Sequence, residues 1–310
     1  MPAAPEVICL GETMIMITPH PVAPLVEATN CTLQPGGAES NVAMHLAALG
    51  HQALWSSRLG DDPLGDRVLA RIADHGVDVS GVVRDPQRPT GVYFKDPAAG
   101  GTQVFYYRAG SAASAMDPGH LDALDLDRVK VVHISGITSG LSDSCASMIN
   151  SLLERMGDLP GLVSFDVNHR PGVWPADTAA PVLRDLARRC DVVYVGLDEA
   201  ERLWGCRTPE DVRTVLPEPM LVVKDGPVAA IEFSGEQATS VPSPVVEVVE
   251  PVGAGDAFAA GHLSGLLDGS GPKQRLALGH ALAGIVLRSV SDVGEVAQIA
   301  PHRVPPQTEA

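Results

Sequence analysis

The chain has 310 residues, 45% of them hydrophobic, and sets 22 Lys and Arg against 38 Asp and Glu for a formal net charge of -16 at pH 7. That length and apolar content can bury a large core, while the acidic surface repels nucleic acid and anionic membrane. No Lys or Arg precedes Arg58, so the basic start of a secretory or mitochondrial leader is missing, and no apolar run reaches bilayer length.

A cytoplasmic address is the expectation. Only 4% of residues are aromatic, so the core is built from Ala, Val, Leu and Ile, which suits parallel strands buried under helices on both faces. The five cysteines, Cys9, Cys31, Cys145, Cys190 and Cys206, are odd in number and form no C-x-x-C pair, so reduced thiols are expected. The His spacing matches no zinc pattern.

In chain order, 7–10 reads as a buried strand, 12–35 lacks helical periodicity, and 41–49 and 63–75 read as helices stopped by Gly50 and Gly76. Residues 90–108 read as a hairpin: a strand at 91–94, a turn at 97–101 and a strand at 104–108. Strands at 131–134, 162–165, 192–195 and 221–223 then alternate with helices at 143–156, 179–189 and 198–204, the last stopped by Gly205. This βαβ repetition predicts an α/β fold with a mostly parallel sheet. Paired with 12–35, the hairpin makes an accessory sheet suited to a lid. The Pro-rich, polar residues 301–310 are expected to fray.

A further strand is predicted at 245–249, followed by Glu250-Pro251-Val252-Gly253-Ala254-Gly255-Asp256 and a helix to about Leu267. Without side-chain bulk at Gly253 and Gly255, backbone N–H groups can converge at the positive end of that helix and hold an anion. Asp256, in the first turn, is placed to take a proton from an attacking hydroxyl. The same residues also suit a plain glycine-rich N-cap, and by themselves they do not choose. Neither G-x-x-x-x-G-K-[ST] nor a G-x-G-x-x-G after the first strand is present.

These residues resemble the ribokinase, or PfkB-type, carbohydrate kinases. The second family signature is matched at 250–256 and the first at Gly36-Gly37-Ala38-Glu39-Ser40-Asn41-Val42-Ala43. A third stretch, from Arg58-Leu59-Gly60-Asp61-Asp62-Pro63-Leu64-Gly65 to Gly76-Val77-Asp78, continues the match. The resemblance implies one ribokinase-like kinase domain over 1–300, with a β lid from about 12–35 and 90–110, ATP with Mg²⁺, and phosphorylation of a sugar hydroxyl. Carried over residue by residue, Gly253, Ala254 and Gly255 become the anion hole and Asp256 the base. Lys224 and Gly226 fall in the nucleotide loop, and His280 lies where the adenine is flanked. The family's N-x-x-E motif reads Gly196-Leu197-Asp198-Glu199, so Glu199 remains for an indirect Mg²⁺ role while Gly196 replaces Asn. Glu250 replaces the usual Asp, which puts the family's monovalent-cation site in doubt.

Two stretches look like those of 2-keto-3-deoxygluconate kinases: residues 105–114, containing Tyr106 and Arg108, and Asp166-Val167-Asn168-His169-Arg170-Pro171-Gly172-Val173-Trp174. Tyr106 and Arg108 are two apart and share a face of an extended strand, and a guanidinium fork matches a carboxylate. Gly37, Asn41, Tyr93, Tyr106 and Arg108 are therefore assigned to an acid sugar, Asn168 with Arg170 to the phosphate side, and Arg170 to both. Arg108 can instead be a solvated edge charge, Asn41 an N-cap and His280 ordinary helix surface or core. Fructokinase, ribokinase and 5-dehydro-2-deoxygluconokinase activities, or a non-catalytic sugar-binding role, remain alternatives. A homo-oligomer through the lid edge also stays open.

Overall fold

The chain order of strands is β1 (Val7–Leu10), β2 (Met14–Pro19), β3 (Cys31–Gly36), β4 (Ala53–Gly60), β5 (Asp78–Asp85), β6 (Val92–Ala98) and β7 (Gly101–Tyr107). It continues with β8 (Val131–Ser135), β9 (Leu162–Asp166), β10 (Val192–Gly196), β11 (Met220–Asp225), β12 (Ala229–Ser234) and β13 (Gln237–Pro242). The computed structural model of the protein describes residues 4–98, 101–289 and 292–293. The expected tail at 301–310 and positions 99 and 100 of the expected turn lie outside the described residues.

Among the described residues, nine strands form one sheet in the order β13-β12-β11-β10-β9-β8-β1-β4-β5. Every neighbouring pair from β11 to β5 is parallel, and β12 and β13 add an antiparallel edge. Both faces are buried, as the apolar composition requires. Ile8 and Leu10 of β1 pack into one core cluster with Val132 and Phe165, while Val7 and Cys9 pack into another with Trp55 and Leu263. Each such large apolar side chain contributes roughly 1.5–3 kcal/mol on burial.

The smaller sheet runs β3-β2-β6-β7, so the segment without helical periodicity supplies two strands that join the expected hairpin. Strand alternation turns Tyr93 and Lys95 of β6, with their cross-strand partners Tyr106 and Val104, toward the body. Met14, Met16 and Tyr93 form a small apolar cluster beneath this sheet, with Tyr106 against it.

Two expectations are corrected. Residues 245–249 form no strand: Pro242 and Pro244 interrupt the run, Val245, Val248 and Val249 are exposed, and Val249 N–H donates to the Leu287 carbonyl at 2.7 Å. The helix expected from Asn41 starts earlier, at Ala38, with Gly37 as its N-cap, so Asn41 is not a cap. The helix after the Gly-rich turn does run Ala254–Leu267.

A buried polar chain anchors that helix to the sheet. The Tyr194 hydroxyl meets His262 Nδ1 at 2.8 Å, His262 Nε2 meets Glu232 Oε2 at 2.8 Å, and Arg275 Nε donates to the same carboxylate at 3.1 Å. Satisfied networks of this kind specify one arrangement of the elements they join, here β10, β12, Ala254–Leu267 and Pro272–Leu287.

Candidate active site

In an open α/β sheet, the carboxyl ends of the parallel strands face a common crevice where the strand order reverses. Here the reversal lies between β1 and β8. Glu12 follows β1, Asp166 ends β9, Gly196 ends β10 and Lys224 lies at the end of β11, all lining one cavity of about 1200 Å³. The lid residues Tyr93, Lys95, Tyr106 and Arg108 form the opposite wall. Every residue singled out as a candidate site residue from the sequence lines this cavity.

At its centre, Gly253 takes φ +83, a left-handed conformation that favours glycine, and a Cβ there would collide with the Asp292 carbonyl. Ala254 then opens the helix, placing Gly255 and Asp256 in its first turn. Asp256 is 8% exposed, and Asn41 Nδ2 donates to its Oδ2 at 2.8 Å. Burial pushes the Asp256 carboxyl up to about 7, helped by the Asp166 charge and opposed by Asn41, Arg170 and Lys224. A carboxyl poised there suits proton acceptance at neutral pH.

Beside the turn, Lys224 Nζ donates to Asp166 Oδ2 at 3.0 Å. Burial works against the Lys224 ammonium, but Asp166 and Glu199 outweigh it and raise its pKa. Glu199 Oε2 accepts from Gly196 N–H at 2.9 Å, and Arg170 Nη1 stands 3.9 Å from Glu199 Oε1. Burial, then the neighbouring Asp166 charge, raises the Glu199 pKa. Asn168 holds φ +39, unusual for a residue with a side chain and most tolerated by Asn. His280 Nε2 lies 3.0 Å from the Val241 carbonyl and its ring stands edge-on to Phe258, on the wall near the 243–248 segment.

On the lid side, β7 ends at Tyr107, so Arg108 lies just past the strand, its guanidinium 5.5 Å from the Tyr106 ring centre. It is no solvated edge charge. It forms an ion pair with the buried Glu12, whose Oε1 accepts from Ser111 Oγ at 2.8 Å. Burial also raises the Tyr93 pKa, which keeps its hydroxyl neutral as a donor. Trp204 packs, donating through Nε1 to the Ala180 carbonyl at 3.0 Å, and Trp174 lies against the core.

Sequence reasoning passed over Glu12, Lys95, Asp166 and Asp292 as site residues. Acidic residues at the carboxyl ends of β1 and β9 were a signal, given the parallel sheet. Lys95 follows Tyr93 by two on a strand, the alternation already used for Tyr106. Asp292 carries no local signal.

A glycine-rich turn opening a helix, with a buried carboxylate beneath it at the mouth of a doubly wound sheet with a β lid, is an arrangement suited to a small-molecule kinase. The chain belongs to the pfkB family carbohydrate kinases, whose sequence pattern it matches over residues 4–296, and it is an ATP-dependent sugar kinase. It is 32% identical over 295 residues to the 2-dehydro-3-deoxygluconokinase of Bacillus subtilis (strain 168), covering 93% of this chain and 91% of that protein. It is 33% identical over 259 residues to Fructokinase-1 of Oryza sativa subsp. japonica, covering 81% and 80%. The PfkB protein of Polaromonas sp. JS666 superposes with a TM-score of 0.85 at 34% identity, covering 96% of this chain and 99% of that one. The ribokinase-like fold expected from the sequence is thus borne out.

Proposed function

We propose that the protein phosphorylates 2-keto-3-deoxygluconate at its terminal hydroxyl, giving 2-keto-3-deoxy-6-phosphogluconate. The observation that carries the kinase chemistry is Asp256, buried, hydrogen-bonded by Asn41 and held near neutrality directly behind the Gly253–Gly255 turn. Asn41 fixes Oδ2, and the hydroxyl proton passes to Oδ1 as the oxygen attacks phosphorus in line. The 253–255 amides take up the charge that develops on the transferred group. Lys224 and Arg170 supply cationic charge on the same side, and lid closure excludes water.

ATP donates the γ-phosphoryl group, and Mg²⁺ screens its charge. The residues fit the pair. Asp166 Oδ1 is buried without a hydrogen-bond partner, near Glu199, and Mg²⁺ is commonly held by one or two carboxylates plus phosphate and water oxygens. Among the described residues, no three His, Cys, Asp or Glu side chains group as a protein-made metal cage would require. The 196–199 and 224–226 segments and His280 lie on the nucleotide side.

The acid-sugar reading is supported by Arg108 with Tyr93 and Tyr106 on the lid, and by similarity to a 2-dehydro-3-deoxygluconokinase. One observation favours a neutral sugar such as fructose: Glu12 already pairs with Arg108, and a buried carboxylate suits sugar hydroxyls. An ADP-release assay over 2-keto-3-deoxygluconate, 5-dehydro-2-deoxygluconate, fructose and ribose decides. The highest kcat/KM is expected with the first; a preference for fructose or ribose overturns the substrate assignment. The reading takes 1–300 as one domain in the cytoplasm, with the lid edge free to pair with a second copy. Among the described residues, no helix is long and apolar enough to cross a membrane.

A further inference from the structure

Lys95 belongs to lid strand β6, yet the residue is only 6% exposed. Its Nζ lies 3.3 Å from Glu250 Oε2, a contact between residues 155 positions apart that joins the small sheet to the segment leading into the anion-binding turn. Glu250 in turn accepts from Val252 N–H through Oε1 at 3.2 Å, so one carboxylate grips the backbone just ahead of Gly253.

A second acidic residue lies beside the turn. Asp292 is 5% exposed, its Oδ1 is buried without a hydrogen-bond partner, and its backbone sits against Gly253. Burial raises its pKa, with Lys95 acting to lower it and Glu250 to raise it further. Two carboxylates beside an anion site work against that site: they repel an incoming phosphate and compete for the turn's N–H groups. Glu250 already holds the Val252 N–H, one residue ahead of those amides.

We propose that Lys95 is a positioning residue for phosphoryl transfer: its ammonium, delivered by the lid, pairs with Glu250 and offsets the negative charge beside the Gly253 and Gly255 amides, which receive the transferred group. This rests on reading that turn as the anion hole. Because the ammonium is engaged by Glu250, its loss is expected in kcat more than in substrate binding.

The test compares wild type with Lys95→Met, Lys95→Ala, Glu250→Gln and the Lys95→Met/Glu250→Gln double variant, measuring ADP release and, separately, sugar and nucleotide binding by calorimetry. Lys95→Met is expected to lower kcat by about tenfold or more while sugar binding changes less than about threefold, because misplaced catalytic groups cost rate rather than affinity. The double variant recovers most of that loss, since it removes the competing charge with its partner. Added ethylammonium restores part of the Lys95→Ala activity, which a packing role would not allow.

Unchanged kcat in Lys95→Met, a loss confined to KM, or losses that simply multiply in the double variant each overturn the inference. Glu250→Gln approaches the pair from its other member, so one variant that fails to fold leaves the test standing. If wild type phosphorylates no sugar, the kinase reading fails and takes this inference with it. If wild type and Lys95→Met turn over alike, only the role of Lys95 is lost.

Discussion

Asn41, on the first helix, donates to Asp256 Oδ2 at 2.8 Å across 215 positions of sequence. Two signature segments therefore meet as donor and acceptor, and the donor favours the ionised form of its acceptor. Asp256 accepts a proton only when ionised, so kcat/KM should rise with pH through about 7, the value to which burial pushes its carboxyl. Asn41→Ala removes a stabilising donor and should move that limb upward by about one pH unit. A pH profile of ADP release checks both; an unmoved limb removes Asn41 from this role.

Asp256→Asn should lower kcat by about 10²- to 10⁴-fold, the usual worth of a general base. It should also stabilise the fold. A carboxyl whose folded pKa is raised loses stability as pH climbs from its ordinary value of 3.8 to about 7. The gain in Tm over wild type should be absent below about pH 4, grow between those values and level off above. Thermal melts across pH test this, and equal Tm values at pH 8 count against the buried charge.

Arg108→Ala leaves Glu12 buried without its cation, which costs stability as well as binding. The Arg108→Ala/Glu12→Gln variant restores the balance of charge and isolates recognition. It should raise KM for the acid sugar about tenfold, the worth of a charge-assisted hydrogen bond, while turnover of fructose changes little. Equal losses for both sugars would remove the carboxylate role.

Glu232→Gln should destabilise the protein by about 3 kcal/mol at neutral pH, because Arg275 and His262 lose their shared carboxylate. Burial opposes the Glu232 charge, but hydrogen bonds from His262 and Arg275 outweigh it and hold its pKa below the ordinary carboxylate value. That stability is present above the ordinary value and is lost as pH falls through the lowered one. Urea unfolding at pH 7 should show the full difference, and at pH 3 a smaller one.

The parallel body was legible because β1, β8, β9, β10 and β11 are short apolar runs between helical stretches. The turn at Gly253 was legible because glycine spacing and a following helix are local. The edge hairpin of β12 and β13 was missed although Gly235, at φ +57, sits in its two-residue loop between paired Ser234 and Gln237. The valines at 245–249 misled in the opposite direction: β-branched residues favour strands, but the prolines before them leave no ladder to join. What sequence could not supply was pairing at a distance. Arg108 reads as a free fork until Glu12 is seen beneath it, and Glu250 reads as an odd substitution until Lys95 is seen across from it.

The cavity draws on residues from Glu12 to Asp292, with contributions from both sheets and from strand ends spread along most of the chain. A fragment that lacks either end of that range loses part of the cavity wall. Recovery of activity on refolding is therefore a stringent reporter of complete assembly, and a bound sugar or nucleotide stabilises the whole chain rather than one lobe.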